Sequence, residues 1–299
     1  MLKETSQKSA FISHYLLVSA LTLFWGLNWP AMKIILFEVP VWWFRAICLI
    51  GGGVGLMTIA IVTNQKIVVP KKEWKPLFCC WVFLIIGWHL FTGYGVSQMP
   101  AGRAVIIAFT MPLWATILSG PLLSEVITKQ KIMALIIGMI GLAVLIGPHL
   151  IVLKVAPIGS FLMMGGAFSW AVGTVLFKRV IWSASTIGVA GWLLLVGSIP
   201  LTVGAILIGP IPDLDELSLR AVISMIYVLI FPMTFCQWSY LKVVRFFPAN
   251  VAAISTLAIP LVGVFSSALL LEEHIGIQEI IALILISMAL GYVLFKPNG

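Results

Sequence analysis

Polar and aromatic residues recur on one face of a long apolar segment near the N-terminus. A helix places residues spaced i, i+3, i+4 and i+8 in one stripe, and this stripe contains Trp25, Asn28, Trp29 and Lys33. If they faced lipid, the polar groups of the indoles, the amide and the amine would have no hydrogen-bond partner. The stripe therefore predicts the wall of a cavity for an amphipathic solute, and the alternative is packing between helices with the polar tips satisfied.

Similar side chains occur in other apolar segments and complete the set of cavity candidates: Trp88, His89, Tyr94, Trp170, Thr174, Gln237 and Tyr240. Imidazole titrates near physiological pH, so His89 is expected to contact a solute or to bind a proton; the alternative is a histidine bonded to a neighbouring helix. Trp170 and Thr174 share one helix face at i, i+4, and Gln237 and Tyr240 share another at i, i+3.

Three cations near helix ends are interpreted as structural charges at the mouths of such a cavity. Lys33 is expected to extend its amine to the headgroups. For Arg45 and Arg103 the favoured role at the outer mouth is a structural clamp or a headgroup contact, and the alternative is a pair with a substrate carboxylate or with Glu38.

Two prolines, Pro112 and Pro260, interrupt apolar segments and are the hinge candidates, because each removes one backbone hydrogen bond and permits a kink.

The elements that carry these residues must lie in lipid. The 299 residues are 61% hydrophobic and only 9% charged, whereas an average soluble domain carries about 25% charged residues. In lipid each backbone N–H and C=O needs an internal partner, which leaves helices or closed barrels. The apolar runs approach the length of a spanning helix, about 20 residues, and do not alternate as barrel strands do.

The apolar runs predict an all-α membrane protein with ten transmembrane helices. Their predicted bounds are about 13–36, 40–63, 75–97, 101–121, 131–148, 157–178, 185–208, 219–241, 248–271 and 277–295. The connectors are too short to form domains, so any function must be built within the membrane or at its mouths.

The distribution of Lys and Arg predicts that both termini are cytoplasmic. With that orientation, 13 of the 18 cations fall on the cytoplasmic side, as the positive-inside rule requires. The 13 are Lys3, Lys8, Lys66, Lys71, Lys72, Lys75, Lys129, Lys131, Lys178, Arg179, Lys242, Arg245 and Lys296. The net charge of +8 is therefore attributed to topology, and nucleic-acid binding is not expected.

The chain also matches itself. At an offset of 148 residues, Pro100, Pro112, Glu125 and Gln130 meet Pro248, Pro260, Glu273 and Gln278, and at an offset of 145, Trp25 and Lys33 meet Trp170 and Lys178. The two halves, 13–148 and 157–296, each contain five predicted helices. Because five is odd, the second half enters from the opposite side, and such inverted repeats are typical of carriers that work by alternating access.

The sequence also resembles a known family. Five features carry the resemblance: the run Trp25-Gly26-Leu27-Asn28-Trp29-Pro30-Ala31-Met32-Lys33, Arg45 after Pro40, the segment from Pro112 to Glu125, the segment from Pro260 to Glu273, and Ser169-Trp170-Ala171-Val172-Gly173 with Lys178. Together they are similar to the drug/metabolite transporter superfamily of the EamA type. The resemblance implies ten helices in two EamA repeats, cytoplasmic termini, and export or exchange of metabolites such as amino acids. In a bacterium it implies the inner membrane.

The function favoured by these observations is secondary transport of small amphipathic metabolites, amino acids first, with efflux of drugs or toxic cations on the same fold as the alternative. A channel, a scramblase and a membrane enzyme are less favoured, since no filter motif, no HExxH and no Ser/His/Asp set lies within the spans. No cofactor and no metal site are expected. The expected partners are a small-molecule substrate and membrane lipids, with the chain as a monomer or weak homodimer.

Overall fold

In the computed structural model, the described residues form helices and connectors and contain no strand. This confirms the all-α prediction. The structure describes residues 2–123, 129, 132–133, 136–141, 143–144, 158–213, 215–246 and 249–295. The helices, numbered to follow the ten predicted crossings, are α1 (Leu2–Leu36), α2 (Val41–Val62), α3 (Lys71–Ser97), α4 (Ala101–Ala108 and Met111–Leu123), α5 (residues 136–141), α6 (Ile158–Lys178), α7 (Thr186–Leu207), α8 (Leu219–Arg245), α9 (Ala249–Leu271) and α10 (Ile277–Phe295).

Five of these helices, α2, α3, α6, α7 and α8, are long and apolar enough to cross a membrane by length and composition. Parts of α4, α9 and α10 are shorter apolar helices. Much of the fifth predicted helix, 131–148, lies outside the described residues. The first helix begins at Leu2 and not near residue 13, because residues 2–12 contain no glycine or proline and continue as helix.

The fourth helix is broken, where the sequence predicted one run over 101–121. Its first part ends at Ala108, and a tight turn follows in which the Thr110 amide donates to the Ile107 carbonyl at 3.1 Å. The second part begins at Met111, one residue before Pro112. Proline has no amide proton for the carbonyl four residues earlier, so a break here has a local cause. Its repeat mate Pro260 lies inside the unbroken α9.

Two π-helical segments, which the sequence did not predict, interrupt α3 and α8. They span Trp81–Gly87 and Leu229–Cys236. The repeat offset of 148 residues carries the first segment onto 229–235 of the second. The same irregularity therefore occurs at corresponding places in both halves, and π-segments frequently mark functional sites.

Contacts between the halves follow the repeat. Helix α1 packs on α8 and α9, and its repeat mate α6 packs on α3 and α4, the mates of α8 and α9. The mates α2 and α7 pack directly on each other. Each half thus contributes equivalent walls to one shared interior, as two inverted five-helix repeats require.

Two carboxylate ties connect the halves at corresponding positions. Glu38, between α1 and α2, accepts hydrogen bonds from the Ser218 amide at 2.8 Å and the Ser218 hydroxyl at 2.6 Å, at the start of α8. Glu73, at the start of α3, accepts from the amide and hydroxyl of Ser183, between α6 and α7. The repeat offset of 145 residues relates Glu38 to Ser183 and Glu73 to Ser218, so the carboxylate of one tie corresponds to the serine of the other. One tie lies at each end of the shared interior.

Candidate functional site

A cavity lies where the two halves meet, and helices of both halves line it. The empty space between its walls is about 530 Å³, counting the part that is open to solvent. The lining residues are Trp25, Asn28, Trp29 and Met32 of α1, Arg45 of α2, Trp88, His89 and Thr92 of α3, Phe109 of the turn that breaks α4, Met111 of its second part, Trp170 of α6, and Met233 and Gln237 of α8. The predicted stripe on α1 therefore faces this cavity, apart from Lys33.

One wall of the cavity is aromatic. Trp170 is the centre of this wall: its ring centroid lies 4.7 Å from that of Trp88, 5.1 Å from that of Tyr240 and 5.9 Å from that of Trp25. Trp25 and Trp170 are repeat mates, so each half supplies one indole to the contact. The Trp170 Nε1–H donates to the Tyr240 hydroxyl at 3.0 Å, and that hydroxyl lies 3.1 Å from Thr174 Oγ1.

The cavity lining also contains a positive charge, that of Arg45, which is only 2% exposed. Its Nε donates to the His89 carbonyl at 2.9 Å, and its Nη2 lies 2.8 Å from Thr92 Oγ1 and 2.9 Å from Met32 Sδ. The sequence placed this cation at the outer mouth. The structure shows it in the cavity wall, since the guanidinium reaches across to the α3 backbone.

Three polar atoms at the cavity have no hydrogen-bond partner in the described part of the chain: Asn28 Oδ1, His89 Nδ1 and Gln237 Nε2. His89 and Gln237 are related by the offset of 148 residues, and each follows its own π-segment within two residues. Buried polar groups are normally satisfied. These three residues line the cavity, so their unpaired polar atoms are candidate ligand contacts.

Three candidates lie away from the cavity lining. Tyr94 is 37% exposed, because it faces away from the cavity on α3. Thr174 and Tyr240 lie behind Trp170 and hold its indole, as described above.

The charges predicted at the mouths are bonded within the protein. The Lys33 amine donates to the carbonyls of Val96, Ser97 and Met99 at 2.8, 3.1 and 3.0 Å, so it caps the C-terminal end of α3 and does not extend to headgroups. Arg103 pairs with Glu279 of α10, and its Nε lies 3.0 Å from that carboxylate. Arg103 therefore joins α4 to α10, while the Glu38 carboxylate accepts hydrogen bonds from Ser218.

Several lining residues were not singled out from the sequence, namely Met32, Thr92, Phe109, Met111 and Met233. Spacing offered a signal for two of them, since Met32 follows Asn28 by four residues and shares its face. Thr92 likewise follows Trp88 by four residues on α3, whereas Phe109 and Met111 depend on the break in α4, and Met233 on the π-segment of α8. Among the described residues no group of three His, Cys, Asp or Glu side chains is placed to hold a metal ion.

Comparisons with known proteins agree with this architecture. The model of the EamA-like transporter family matches residues 12–147 and 157–295. The uncharacterized transporter YoaV of Bacillus subtilis is 26% identical over 272 residues, which are 90% of this chain and 92% of that protein. A probable amino-acid metabolite efflux pump of Escherichia coli is 25% identical over 274 residues, covering 88% of this chain and 89% of the pump.

A crystal structure of a protein with 18% sequence identity has the same fold, with a TM-score of 0.72 over 95% of this chain and 96% of the other. The fold, the shared cavity and these matches define a multi-pass membrane transporter. The chain belongs to the EamA-like transporter family, within the drug/metabolite transporter superfamily.

Proposed function

We propose that the protein exports amino acids or closely related amphipathic metabolites through this cavity. The observation that carries the proposal is a cavity built by both halves, whose lining combines indoles with residues that carry unpaired polar atoms. A small solute with an apolar part and a polar part satisfies both kinds of residue at once. The similarity to an amino-acid metabolite efflux pump supports the same substrate class and direction.

Alternating access is the mechanism that the repeat supports. Two inverted halves have two near-equivalent arrangements, one open to each side of the membrane. The repeat mates Trp25 and Trp170, and His89 and Gln237, line the same cavity. An exchange of roles between the halves therefore moves the opening while the same residues still surround the solute.

The proposed orientation has both termini in the cytoplasm, in the inner membrane if the cell is bacterial. The excess of Lys and Arg in alternate connectors supports this orientation. A small-molecule substrate and lipids are the proposed partners, without nucleic acid, and the chain is proposed to act as a monomer or weak homodimer.

Counterflow in proteoliposomes tests the function. Vesicles that contain the purified protein are loaded with one unlabelled amino acid, and uptake of the same labelled amino acid is followed, for each of the protein amino acids in turn. A carrier gives transient, saturable accumulation of label. Asn28→Leu removes a polar lining atom and is expected to lower kcat/KM by about tenfold or more, the equivalent of one hydrogen bond to a charged group.

Lys178→Gln is the matched control, because Lys178 is exposed at the end of α6 and its loss leaves the cavity intact. Wild-type flux that does not saturate and shows no counterflow indicates a channel. Absence of counterflow with every amino acid, for protein that remains monodisperse, removes amino acids from the proposal.

A further inference from the structure

Arg45 is a buried cation for which the described chain supplies no anion. Its hydrogen-bond acceptors are a carbonyl, a hydroxyl and a thioether, from His89, Thr92 and Met32, and all three are neutral. These contacts use Nε and Nη2, while Nη1 has no hydrogen bond in the part of the chain that the structure describes. A buried charge without a countercharge is strongly unfavourable, so an anion that binds next to Arg45 would complete an ion pair.

The acids that approach the interior are bound elsewhere. Glu38 and Glu73 accept hydrogen bonds from serines at the two inter-repeat ties. Glu273 accepts from the backbone amides at the start of α4, at 2.7 and 2.9 Å, and Glu279 pairs with Arg103. None of these carboxylates lines the cavity. Among the described residues, then, no carboxylate faces Arg45, and a bound solute is the candidate source of one.

The position of Arg45 depends on the absence of a side chain at Gly93 of α3. A Cβ atom there would lie 2.6 Å from Val41 Cγ1 and 3.2 Å from Arg45 Nε. Without it, the Arg45 side chain lies against the α3 backbone, and the guanidinium is fixed by three acceptors. A guanidinium that is held in this way is pre-organised, so little conformational entropy is lost when it binds a carboxylate.

The unpaired atoms nearby match the rest of an amino acid. Gln237 Nε2 is a donor, so it suits a carboxylate, and Asn28 Oδ1 is an acceptor, so it suits an ammonium group. Gln237 is 2% exposed and lines the same cavity as Arg45. The aromatic wall around Trp170 is left for the apolar side chain.

We propose that Arg45 binds the carboxylate of the transported molecule, with Gln237 as a second donor and Asn28 as acceptor for its amino group. This inference rests on the proposed function, since it takes the cavity to be the transport site. A fixed positive charge in a site of low dielectric constant also repels cations. The cavity therefore selects zwitterions and organic acids against cationic drugs.

The test measures binding apart from transport. The purified protein in detergent is titrated by tryptophan fluorescence, to which the four cavity indoles contribute, with the protein amino acids. The tightest binder is then compared with its decarboxylated amine and its deaminated acid. The amino acid and the acid are expected to bind about tenfold or more tighter than the amine, because hydrogen bonds to a charged guanidinium are the strong ones.

Arg45→Gln is expected to weaken both carboxylate ligands by about 10- to 100-fold and to leave the amine unchanged or improved. Arg45→Lys keeps the charge and loses the contacts that fix the guanidinium, so an intermediate loss is expected. Lys178→Gln, an exposed cation, leaves all three affinities unchanged. If Arg45→Gln does not fold, Arg45→Lys and the wild-type ligand comparison decide the matter.

The two proposals fail in different ways. Binding that depends on Arg45, without counterflow in proteoliposomes, contradicts transport of these ligands and retains the carboxylate site. Counterflow that accepts the amine as well as the acid, and that survives Arg45→Gln, contradicts the carboxylate site and retains transport. If no amino acid and no deaminated acid binds the folded wild-type protein, the carboxylate site is wrong.

Discussion

The Tyr240 hydroxyl joins two helices behind the aromatic wall, because it accepts a hydrogen bond from Trp170 and lies within hydrogen-bond distance of Thr174. Tyr240→Phe keeps the ring contacts with Trp25 and Trp170 but leaves the indole N–H without its acceptor. We expect a loss of about 1–2 kcal/mol in the free energy of unfolding, in the range of hydrogen bonds between membrane helices. Thermal unfolding in detergent measures it.

Tyr94→Phe is the matched control, since this tyrosine is 37% exposed and lies away from the cavity lining. It is expected to leave the Tm unchanged. Equal Tm values for the two variants would show that the Tyr240 hydroxyl does not stabilise the wall.

Helical spacing predicted the residues on α1 that line the cavity, because residues that share one face of a helix can be identified from their spacing in the sequence. The burial of Arg45 was not predictable in this way. It depends on the absence of a side chain at Gly93, which lies on another helix and 48 residues further along the chain. The hydrogen bonds of Lys33 were not predictable for the same reason, since its three acceptors are at the far end of α3.

At the scale of the elements, the hydrophobic pattern predicted that the helices exist but not where they are irregular. The segments Trp81–Gly87 and Leu229–Cys236 are apolar nearly throughout. A run without polar residues looks the same whether each amide bonds four or five residues back. The repeat alignment alone shows that the two segments correspond, once one of them is known.

The π-segment of α3 packs closely on α6 at Gly173. A Cβ atom at this position would lie 2.5 Å from Leu84 Cγ and 2.7 Å from the Leu84 backbone nitrogen. Because backbone cannot move aside as a side chain can, Gly173→Ala is expected to separate the two helices and to cost about 1–3 kcal/mol of stability. The measurement is the Tm in detergent, together with counterflow.

Gly102→Ala is the control, because the nearest atom to a Cβ there is 3.4 Å away, an ordinary contact. Its Tm should match the wild type. A Gly173→Ala protein as stable as Gly102→Ala would mean that α3 and α6 are not in close contact at this point.

The tie between Glu38 and Ser218 predicts a dependence on pH. Hydrogen bonds from the Ser218 hydroxyl and amide lower the pKa of Glu38 below its ordinary value of 4.5. A carboxyl group with a depressed pKa contributes stability that is fully present above its unfolded pKa and is lost as the pH falls through the folded pKa. Glu38→Gln is therefore expected to lower the Tm at about pH 7 and to have a smaller effect at about pH 3.

Glu216→Gln serves as the control, because this carboxylate lies exposed in the same connector as Ser218. It should change the Tm little at either pH. A Glu38→Gln effect of the same size at both pH values would show that the tie does not depend on the ionised carboxylate.

For the whole molecule, two internal features predicted the architecture: the repeat of five helices, and the segregation of cations. Both are global properties of the sequence, so uncertain helix ends did not affect them. Tags at the two termini are expected to be reached only from the cytoplasmic side of the membrane. Tags reached from opposite sides would contradict the even number of crossings and the inverted repeat with it.

The central claim is that one cavity between the halves opens to each side in turn. A single cysteine at the cavity, Met111→Cys with Cys48, Cys79, Cys80 and Cys236 replaced by alanine, is labelled with a membrane-impermeant maleimide in right-side-out and inverted vesicles. We predict labelling from each side, slowed from both sides by a transported amino acid. Labelling from one side only, or labelling that substrate never slows, would contradict alternating access through this cavity.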